Sequence, residues 1–331
     1  MKVIAPEKSL SPTPPAVPLE AGRRREKRIP SSPAYRRNIL WVLLVPALLA
    51  EFLVYIVPIL AGIYTSFTDV NQFTLRSWFT APFVWFENFW YIVGTRAIGE
   101  PIVKSFITSV VYVVIVVVIS MFIGTTALIF VRSLPRRQKF FQVLFVIPYT
   151  VPVYAAAVTW AFVFQGNGAM NTLFHSDLHL MKSTLWLEGD PAFISLVIAS
   201  VWHTWPFVFL MMLGASSNIP TELYEALRVD GGGRWQEARN ITLPFVSPTA
   251  RILALLLFMW TFNDFVTPFV FFGEIPPSTA NLFPLDIYTT TFVNFAFSVG
   301  TAASLLAILV LSVTIVLPYA KITRFGADTN E

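Results

Sequence analysis

Long apolar segments alternate with shorter polar segments along the whole sequence. A helix that crosses the hydrocarbon core of a bilayer needs about 20 mostly apolar residues, and six segments are that long. They cover residues 39–67, 105–131, 140–164, 192–213, 252–272 and 292–319. Residues 111–119 are rich in β-branched side chains, which favour a strand in water, but a chain in lipid has to satisfy its own backbone and therefore forms a helix. The pattern predicts an all-α membrane protein with six transmembrane helices.

The composition agrees with a membrane protein. Of the 331 residues, 55% are hydrophobic and 13% are charged, whereas about a quarter of the residues of a soluble domain are charged. The chain has no cysteine, so it has no disulfide, no thiolate metal ligand and no cysteine nucleophile. Three regions are expected: residues 1–38 as a Pro-rich, basic, disordered tail, residues 39–321 as the transmembrane domain, and residues 322–331 as a short C-terminal tail.

Basic residues are distributed unevenly between the two sides of the predicted spans. Nineteen of the 23 Lys and Arg residues lie before the first span, after the last span, or in the segments 132–139 and 228–251. The remaining four are Arg76, Arg96, Lys104 and Lys182. Because Lys and Arg are enriched in cytoplasmic loops, both tails and the segment 220–247 are predicted to be cytoplasmic.

The segment 220–247 is polar although it lies between two apolar spans. Thr221 is a candidate N-cap, and a short helix from there is expected to end at a run of three glycines that begins at Gly231, where positive φ costs little. A second short helix is expected to begin at Arg234, and Pro244 is expected to mark a break soon after it. The sequence thus predicts two short helices joined by a glycine turn.

This segment closely resembles the EAA loop of the permease subunits of ABC importers, and is most similar to the carbohydrate-importer branch. The family pattern is a Glu-Ala pair, a Gly six positions after the Glu, and then Ile-x-Leu-Pro. The residues that fill the pattern are Glu225, Ala226, Gly231, Ile241, Leu243 and Pro244, with Leu227 where a third small residue is commonest. We call residues 220–247 the EAA segment. The resemblance implies the type I ABC importer permease fold, with a cytoplasmic coupling helix at which these residues, with Asp230 and Arg234, contact an ATPase.

The sequence contains no motif of an enzyme. The phosphate-binding pattern Gly-x-x-x-x-Gly-Lys-Ser/Thr does not occur, and no Ser-His-Asp arrangement or supported metal site is present. Nor does a base-reading module indicate nucleic acid. The resemblance implies that ATP and Mg²⁺ are bound by a partner ATPase and that this chain has no cofactor of its own.

Polar and aromatic residues inside two spans form candidate binding surfaces. In the fourth span, four residues have the spacing i, i+3, i+4 and i+7 of one helix face. They are Ser200, His203, Thr204 and Phe207. In the fifth span, the residues on one side are Trp260, Thr261 and Asp264. Polar groups are costly in hydrocarbon unless they face protein or a cavity, and this mixture suits a sugar, which needs hydrogen-bond partners and an aromatic surface.

The resemblance to the maltose-type permease adds to this interpretation. In that permease the helices before and after the EAA loop hold the sugar, together with a tyrosine in a Pro-Tyr-x-Val-Pro stretch. When the two sequences are aligned at Glu225 without gaps, the residues singled out in the fourth and fifth spans fall on sugar-contacting positions of that permease. Tyr149 corresponds to its tyrosine. Phe207 stands in place of a tyrosine and Asp264 in place of an amide residue, so the resemblance does not imply maltose itself.

Two other functions stay open at this point. An ion-coupled secondary transporter would use Glu51 and Asp264 as a relay, whereas a membrane scaffold would use the polar residues for interhelical packing; for Glu51, a structural hydrogen bond is favoured over a relay. The resemblance to importer permeases implies a second, homologous permease subunit in a heterodimer, two copies of an ABC ATPase and an extracytoplasmic sugar-binding protein. It also implies a bacterial or archaeal cell membrane.

Overall fold

The computed structural model describes residues 33–95, 99–134, 136–180 and 182–317, and within them the chain is almost entirely helical. The α-helices are α1 (Pro33–Glu51), α2 (Val57–Ser66), α3 (Glu87–Gly94), α4 (Gly99–Arg132), α5 (Gln138–Thr150), α6 (Val153–Val163), α7 (Ala169–Asn171), α8 (Gly189–Ser216), α9 (Thr221–Val229), α10 (Arg234–Glu237), α11 (Leu243–Phe262), α12 (Val266–Phe272), α13 (Phe283–Tyr288) and α14 (Phe297–Leu311). Turns of π-helix occupy Phe52–Ile56, Thr172–Asp177, Ala238–Thr242, Thr289–Val293 and Ser312–Val316.

The membrane-spanning helices correspond to the six predicted apolar segments. Five stretches of helix are long and apolar enough to cross a membrane: Leu44–Ser66, Gly99–Arg132, Gly189–Ser216, Arg234–Phe272 and Phe297–Ile315. The remaining predicted span, 140–164, consists of α5 and α6, which meet at 86°. Pro152 lies at this bend and supplies no backbone N–H. The predicted all-α membrane fold is confirmed.

The ends of several elements differ from the prediction. α1 begins at Pro33, before the predicted boundary at residue 38, while residues 1–32 and 322–331 of the predicted tails lie outside the described residues. The last span begins at Phe297 rather than at residue 292. A helix cannot run through Phe295, whose φ of +56° is left-handed.

The chain divides into two compact units that meet at Pro58. In its described part, the first unit consists of α1, the following π-helical turn and the start of α2. Glu51 is the last residue of α1, and its side chain is exposed. Its predicted role as a hydrogen-bond partner stays a prediction. The second unit contains all the other helices.

The segment between α2 and α4 contains two short helices. A 3-10 helix covers Leu75–Thr80, and α3 follows at Glu87–Gly94. Asn88 of α3 is buried, and its Nδ2 donates to the carbonyl oxygens of Ser66 and Thr68, each at 2.9 Å. One amide side chain thus satisfies two carbonyls near the end of α2 and holds α3 beside it.

Two predictions about the EAA segment are wrong. Thr221 is not an N-cap: it is the first residue of α9, and Pro220 precedes it without a side-chain cap. Pro244 does not break the chain, since it lies in the first turn of α11, which continues to Phe262. Proline is tolerated there because the first N–H groups of a helix have no partner within it.

Helices α4 and α8 pack together at the centre of the second unit. At their crossing, Gly124 of α4 lies so close to α8 that a Cβ atom would be 2.6 Å from Val208 Cβ and 2.9 Å from the backbone nitrogen of Phe209. Nearer the other end, the hydroxyl of fully buried Tyr112 is hydrogen-bonded to Ser200 Oγ. A small residue allows two backbones to approach closely in a membrane, so Gly124 sets the distance between these helices.

We expect Gly124→Ala to destabilise the fold, because the added methyl group has to separate α4 from α8. Overpacking of this kind costs about 1–3 kcal/mol. The control is Gly214→Ala in α8, where an added Cβ contacts nothing within 4 Å and a better helix former gains up to about 1 kcal/mol. Thermal unfolding of the detergent-solubilised protein measures both. Equal midpoints for the two variants would contradict the close-packing interpretation.

Candidate functional site

A cavity of about 500 Å³ opens among α5, α6, α8, α11 and α12, and we call it the central cavity. Its volume falls within the range of about 300–1,000 Å³ that is usual for ligand sites. The lining includes all eight residues that the sequence singled out: Tyr149, Ser200, His203, Thr204, Phe207, Trp260, Thr261 and Asp264. The structure therefore brings together residues from three predicted spans.

Three aromatic rings form one wall of the central cavity. The ring of Phe207 lies between those of Tyr149 and Trp260, with centroid distances of 5.3 Å and 5.4 Å. Trp260 keeps 54% of its surface exposed although it lies in a transmembrane helix. An accessible indole beside two other rings offers an apolar surface against which the C–H face of a flat ligand can pack.

His203 provides an unpaired polar atom at the same wall. Its ring is 5.8 Å from that of Tyr149. Its Nδ1 is buried and has no hydrogen-bond partner within the part of the chain that the structure describes. Nδ1 itself has almost no accessible surface, so a ligand in the cavity meets the accessible part of the imidazole ring rather than this nitrogen.

Asp264 and Ser200 already have structural partners. The carboxylate of Asp264 accepts a hydrogen bond from the backbone N–H of Thr267 at 3.1 Å, at the start of α12. A carboxylate has two oxygens and about four acceptor positions, so this bond leaves acceptor capacity at the cavity. Ser200 is bonded to Tyr112, which ties the cavity wall to α4.

The structure also places residues at the cavity that the sequence analysis did not identify. Trp160 of α6 lines it, as do Thr150 and Thr267. Trp160 reaches this position because α6 turns away from α5 by 86°. The sequence signals a bend at Pro152 but gives neither its angle nor its direction, so Trp160 could not be assigned.

The charged residues that line the central cavity have one sign only. Asp264 is the one carboxylate among the described residues that line the central cavity, and none of them is Lys or Arg. A negatively charged ligand would therefore meet a carboxylate and no compensating cation. The lining suits a neutral ligand with hydroxyl groups.

The EAA segment folds around its own small core. Ile219, Tyr224 and Ile241 are buried together, with Leu227 packed against them, in a cluster separate from the main hydrophobic core. Tyr224 Oη is hydrogen-bonded to Thr242 Oγ1 at 3.0 Å. These contacts hold α9 beside the π-helical turn that leads into α11.

The glycine turn between α9 and α10 has the predicted geometry. Gly231 has a φ of +80°, and the backbone N–H of Gly233 donates to Gln236 Oε1 at 2.7 Å. Across the turn, Arg228 Nε lies 2.6 Å from Glu237 Oε1. This hydrogen bond and the neighbouring charge raise the pKa of the exposed Arg228 guanidinium. An exposed pair adds little stability, so the turn geometry depends mainly on the glycine.

The predicted ATPase-contacting residues differ in exposure. The exposed ones are Glu225, Ala226, Asp230, Gly231, Arg234 and Pro244. Ile241 is buried in the core of the segment and Leu243 is half-buried, so these two shape the segment rather than present a surface. Two apolar side chains that the prediction did not include, Val229 and Trp235, are 88% and 69% exposed.

Comparisons with known proteins identify the family. The family model described as "Binding-protein-dependent transport system inner membrane component" matches residues 116–324. The diacetylchitobiose uptake system permease protein DasB of Streptomyces coelicolor is 28% identical over 275 residues, which are 82% of this chain and 82% of that protein. The trehalose/maltose transport system permease protein MalF of Thermococcus litoralis is 27% identical over 308 residues, 92% of this chain and 100% of that protein.

A solved structure shares the fold. A chain in the crystal structure of a bacterial ABC transporter involved in the import of the acidic polysaccharide alginate matches with a TM-score of 0.71 and 17% identity, over 88% of this chain and 96% of that chain. The expected permease fold is thus confirmed. The family match supports an importer permease over an ion-coupled secondary transporter. The chain belongs to the family of binding-protein-dependent transport system inner membrane components, and it is a membrane-spanning permease subunit of an ABC importer rather than an enzyme.

Proposed function

We propose that this subunit forms half of the pathway by which an ABC importer takes up a neutral sugar, and that the sugar binds in the central cavity. The observation that carries the proposal is the combination of an aromatic wall, an imidazole and a carboxylate in the lining of one cavity. Hydroxyl groups donate to the carboxylate and exchange hydrogen bonds with the imidazole, while the C–H face of the sugar packs on Trp260.

The names of the relatives support a sugar as the substrate, and the lining of the cavity indicates that this sugar is uncharged. Two are named for diacetylchitobiose and for trehalose or maltose, whereas the structural neighbour imports acidic alginate. Because the described lining contains Asp264 and no basic residue, a neutral oligosaccharide or disaccharide fits it better than an acidic one.

The EAA segment supplies the proposed contact with the ATPase. Glu225 is exposed on α9 and would pair with a basic residue of the ATPase, and exposed Val229 and Trp235 offer apolar surface beside it. The proposed contact requires the segment and both tails to be cytoplasmic, which agrees with the distribution of Lys and Arg. The ATPase supplies the nucleotide site with ATP and Mg²⁺, and an extracytoplasmic binding protein delivers the sugar to the opposite side.

We expect Gly231→Val to uncouple ATP hydrolysis from transport. An added Cβ at Gly231 contacts nothing within 4 Å, so the cost comes from its φ of +80° alone, about 1–2 kcal/mol. Gly233→Val is the matched control, since its φ is −88° and its surroundings are equally open. Sugar-stimulated hydrolysis and uptake are measured in proteoliposomes. Full coupling in both variants would count against the EAA segment as the ATPase contact and against its cytoplasmic placement.

The sugar site is tested by variants that separate charge from helix capping at Asp264. Asn is as good a helix cap as Asp, so Asp264→Asn keeps the bond to Thr267 and removes the charge. We expect about five- to ten-fold weaker uptake, because a hydrogen bond to a charged group is stronger than one to an amide. Trp260→Ala should weaken uptake about ten-fold through loss of the aromatic surface.

Met259→Ala is the control for these variants, because Met259 is adjacent in sequence but does not line the central cavity. Sugar affinity and the initial rate of uptake are measured with the intact complex, alongside basal ATP hydrolysis, which should stay unchanged. Wild-type uptake by both Asp264→Asn and Trp260→Ala would show that the sugar binds elsewhere.

For the assembly, we propose a heterodimer of this chain with a second, homologous permease, above two copies of the ATPase. ABC ATPases work as dimers, and this chain has one EAA segment, which engages one ATPase subunit. Purification of the complex through an affinity tag on this chain, followed by native mass spectrometry, should give one copy of each permease and two of the ATPase. An active complex with this chain as its only membrane subunit would refute the heterodimer.

A further inference from the structure

Arg132, the last residue of α4, contacts two other elements at once. Its Nη1 donates to the carbonyl oxygen of Ser216, at the end of α8, at 2.8 Å. The carbon at the centre of its guanidinium group lies 4.8 Å from the ring centroid of Tyr224, on α9 of the EAA segment. Three elements therefore meet at a single side chain.

Each of these contacts has a physical reason. The last carbonyls of a helix lack partners within it and carry a partial negative charge, so a cation there is favourable. Arg132 fulfils this role for α8 while it ends α4 itself. The planar guanidinium also stacks on an aromatic face, which an ammonium group does less well.

The position of Arg132 is significant because the EAA segment has a separate core. Tyr224 and Ile241 pack with Ile219 in a small cluster of their own, while Val246, near the end of the segment, belongs to the main core. Arg132 reaches this cluster from the end of α4. Tyr224 is bonded in turn to Thr242 at the start of the path into α11.

The middle of α8 lines the central cavity, and the middle of α4 is bonded to that part of α8. α8 carries Ser200 and His203, and α4 is tied to that wall by the bond between Tyr112 and Ser200. A displacement of α9 that is passed to Arg132 therefore moves two helices, one of which lines the cavity and one of which braces it.

We infer that Arg132 and Tyr224 form a clamp that transmits the movement of the EAA segment to α4 and α8, so that Arg132 is a positioning residue for coupled transport. The inference rests on the proposed function of the EAA segment as the ATPase contact. The clamp contacts neither ATP nor sugar. Its loss should leave ATP hydrolysis and sugar binding in place while fewer sugars are moved for each ATP.

The test is the ratio of sugar transported to ATP hydrolysed by the complete complex in proteoliposomes. Arg132→Gln removes the charge and the planar group, and we expect the ratio to fall about ten-fold, as for the loss of a charged hydrogen bond. Arg132→Lys keeps the charge but not the plane, and should retain part of the coupling. The control is Lys139→Gln in α5. It removes an exposed basic side chain that has no hydrogen-bond or ion-pair partner among the described residues.

Tyr224 gives an independent test of the same contact. Tyr224→Phe and Tyr224→Leu both lose the hydroxyl bond to Thr242, and only Phe keeps a ring for the guanidinium to stack on. We expect the Phe variant to be coupled better than the Leu variant, and this difference to vanish in the Arg132→Gln background. If that background does not assemble, Arg132→Lys replaces it, and the difference should shrink.

The outcomes separate this inference from the function on which it depends. If Gly231→Val uncouples the complex but Arg132→Gln transports at the wild-type ratio, the clamp is refuted and the ATPase contact stands. A difference between the Phe and Leu variants that persists unchanged without Arg132 also refutes the clamp. If neither Gly231→Val nor Arg132→Gln uncouples the complex, the proposed ATPase contact itself fails.

Discussion

Every interruption of a helix in this chain has to be repaired from within, because the hydrocarbon core of a membrane offers no water to an unpaired backbone group. Side-chain oxygens act as such acceptors both inside a span and just outside the spans. Asp264 accepts the N–H of Thr267 where α12 begins, and Ser109 accepts the N–H of Phe283 where α13 begins, at 3.1 Å and 2.7 Å. Ser298 accepts the N–H of Val70 at 2.7 Å.

The central cavity depends on the interruptions of the third and fifth spans. An unbroken third span would carry Trp160 away from Tyr149, and an unbroken fifth span would leave Asp264 without its role as a cap. Asp264, whose side chain caps the interruption between α11 and α12, thus also brings a charge to the cavity wall. At Asp264 and at Ser200 a structural hydrogen bond coincides with the proposed contact to the sugar, so burial alone does not distinguish a structural residue from a ligand-binding one.

Much of this arrangement could be predicted from the sequence, because the relevant signals are local. Apolar length identifies the spans, and helical spacing places Ser200, His203, Thr204 and Phe207 on one face. The errors arise where the backbone depends on distant partners. The angle between α5 and α6 is set by packing, Pro244 is harmless because it falls in a first turn, and the contact between Arg132 and Tyr224 joins residues 92 positions apart in the sequence.

The separate core of the EAA segment has a consequence for the divergence of such transporters. Substitutions on its exposed face, around Glu225 and Trp235, do not alter the packing of the helices that line the cavity, and substitutions in the cavity do not disturb Ile219, Tyr224 and Ile241. With the proposed roles of the two surfaces, the choice of energy-supplying partner and the choice of cargo are therefore separable traits. Each surface can change independently in evolution, provided that the side chains that join the two, such as Arg132 and Tyr224, are retained.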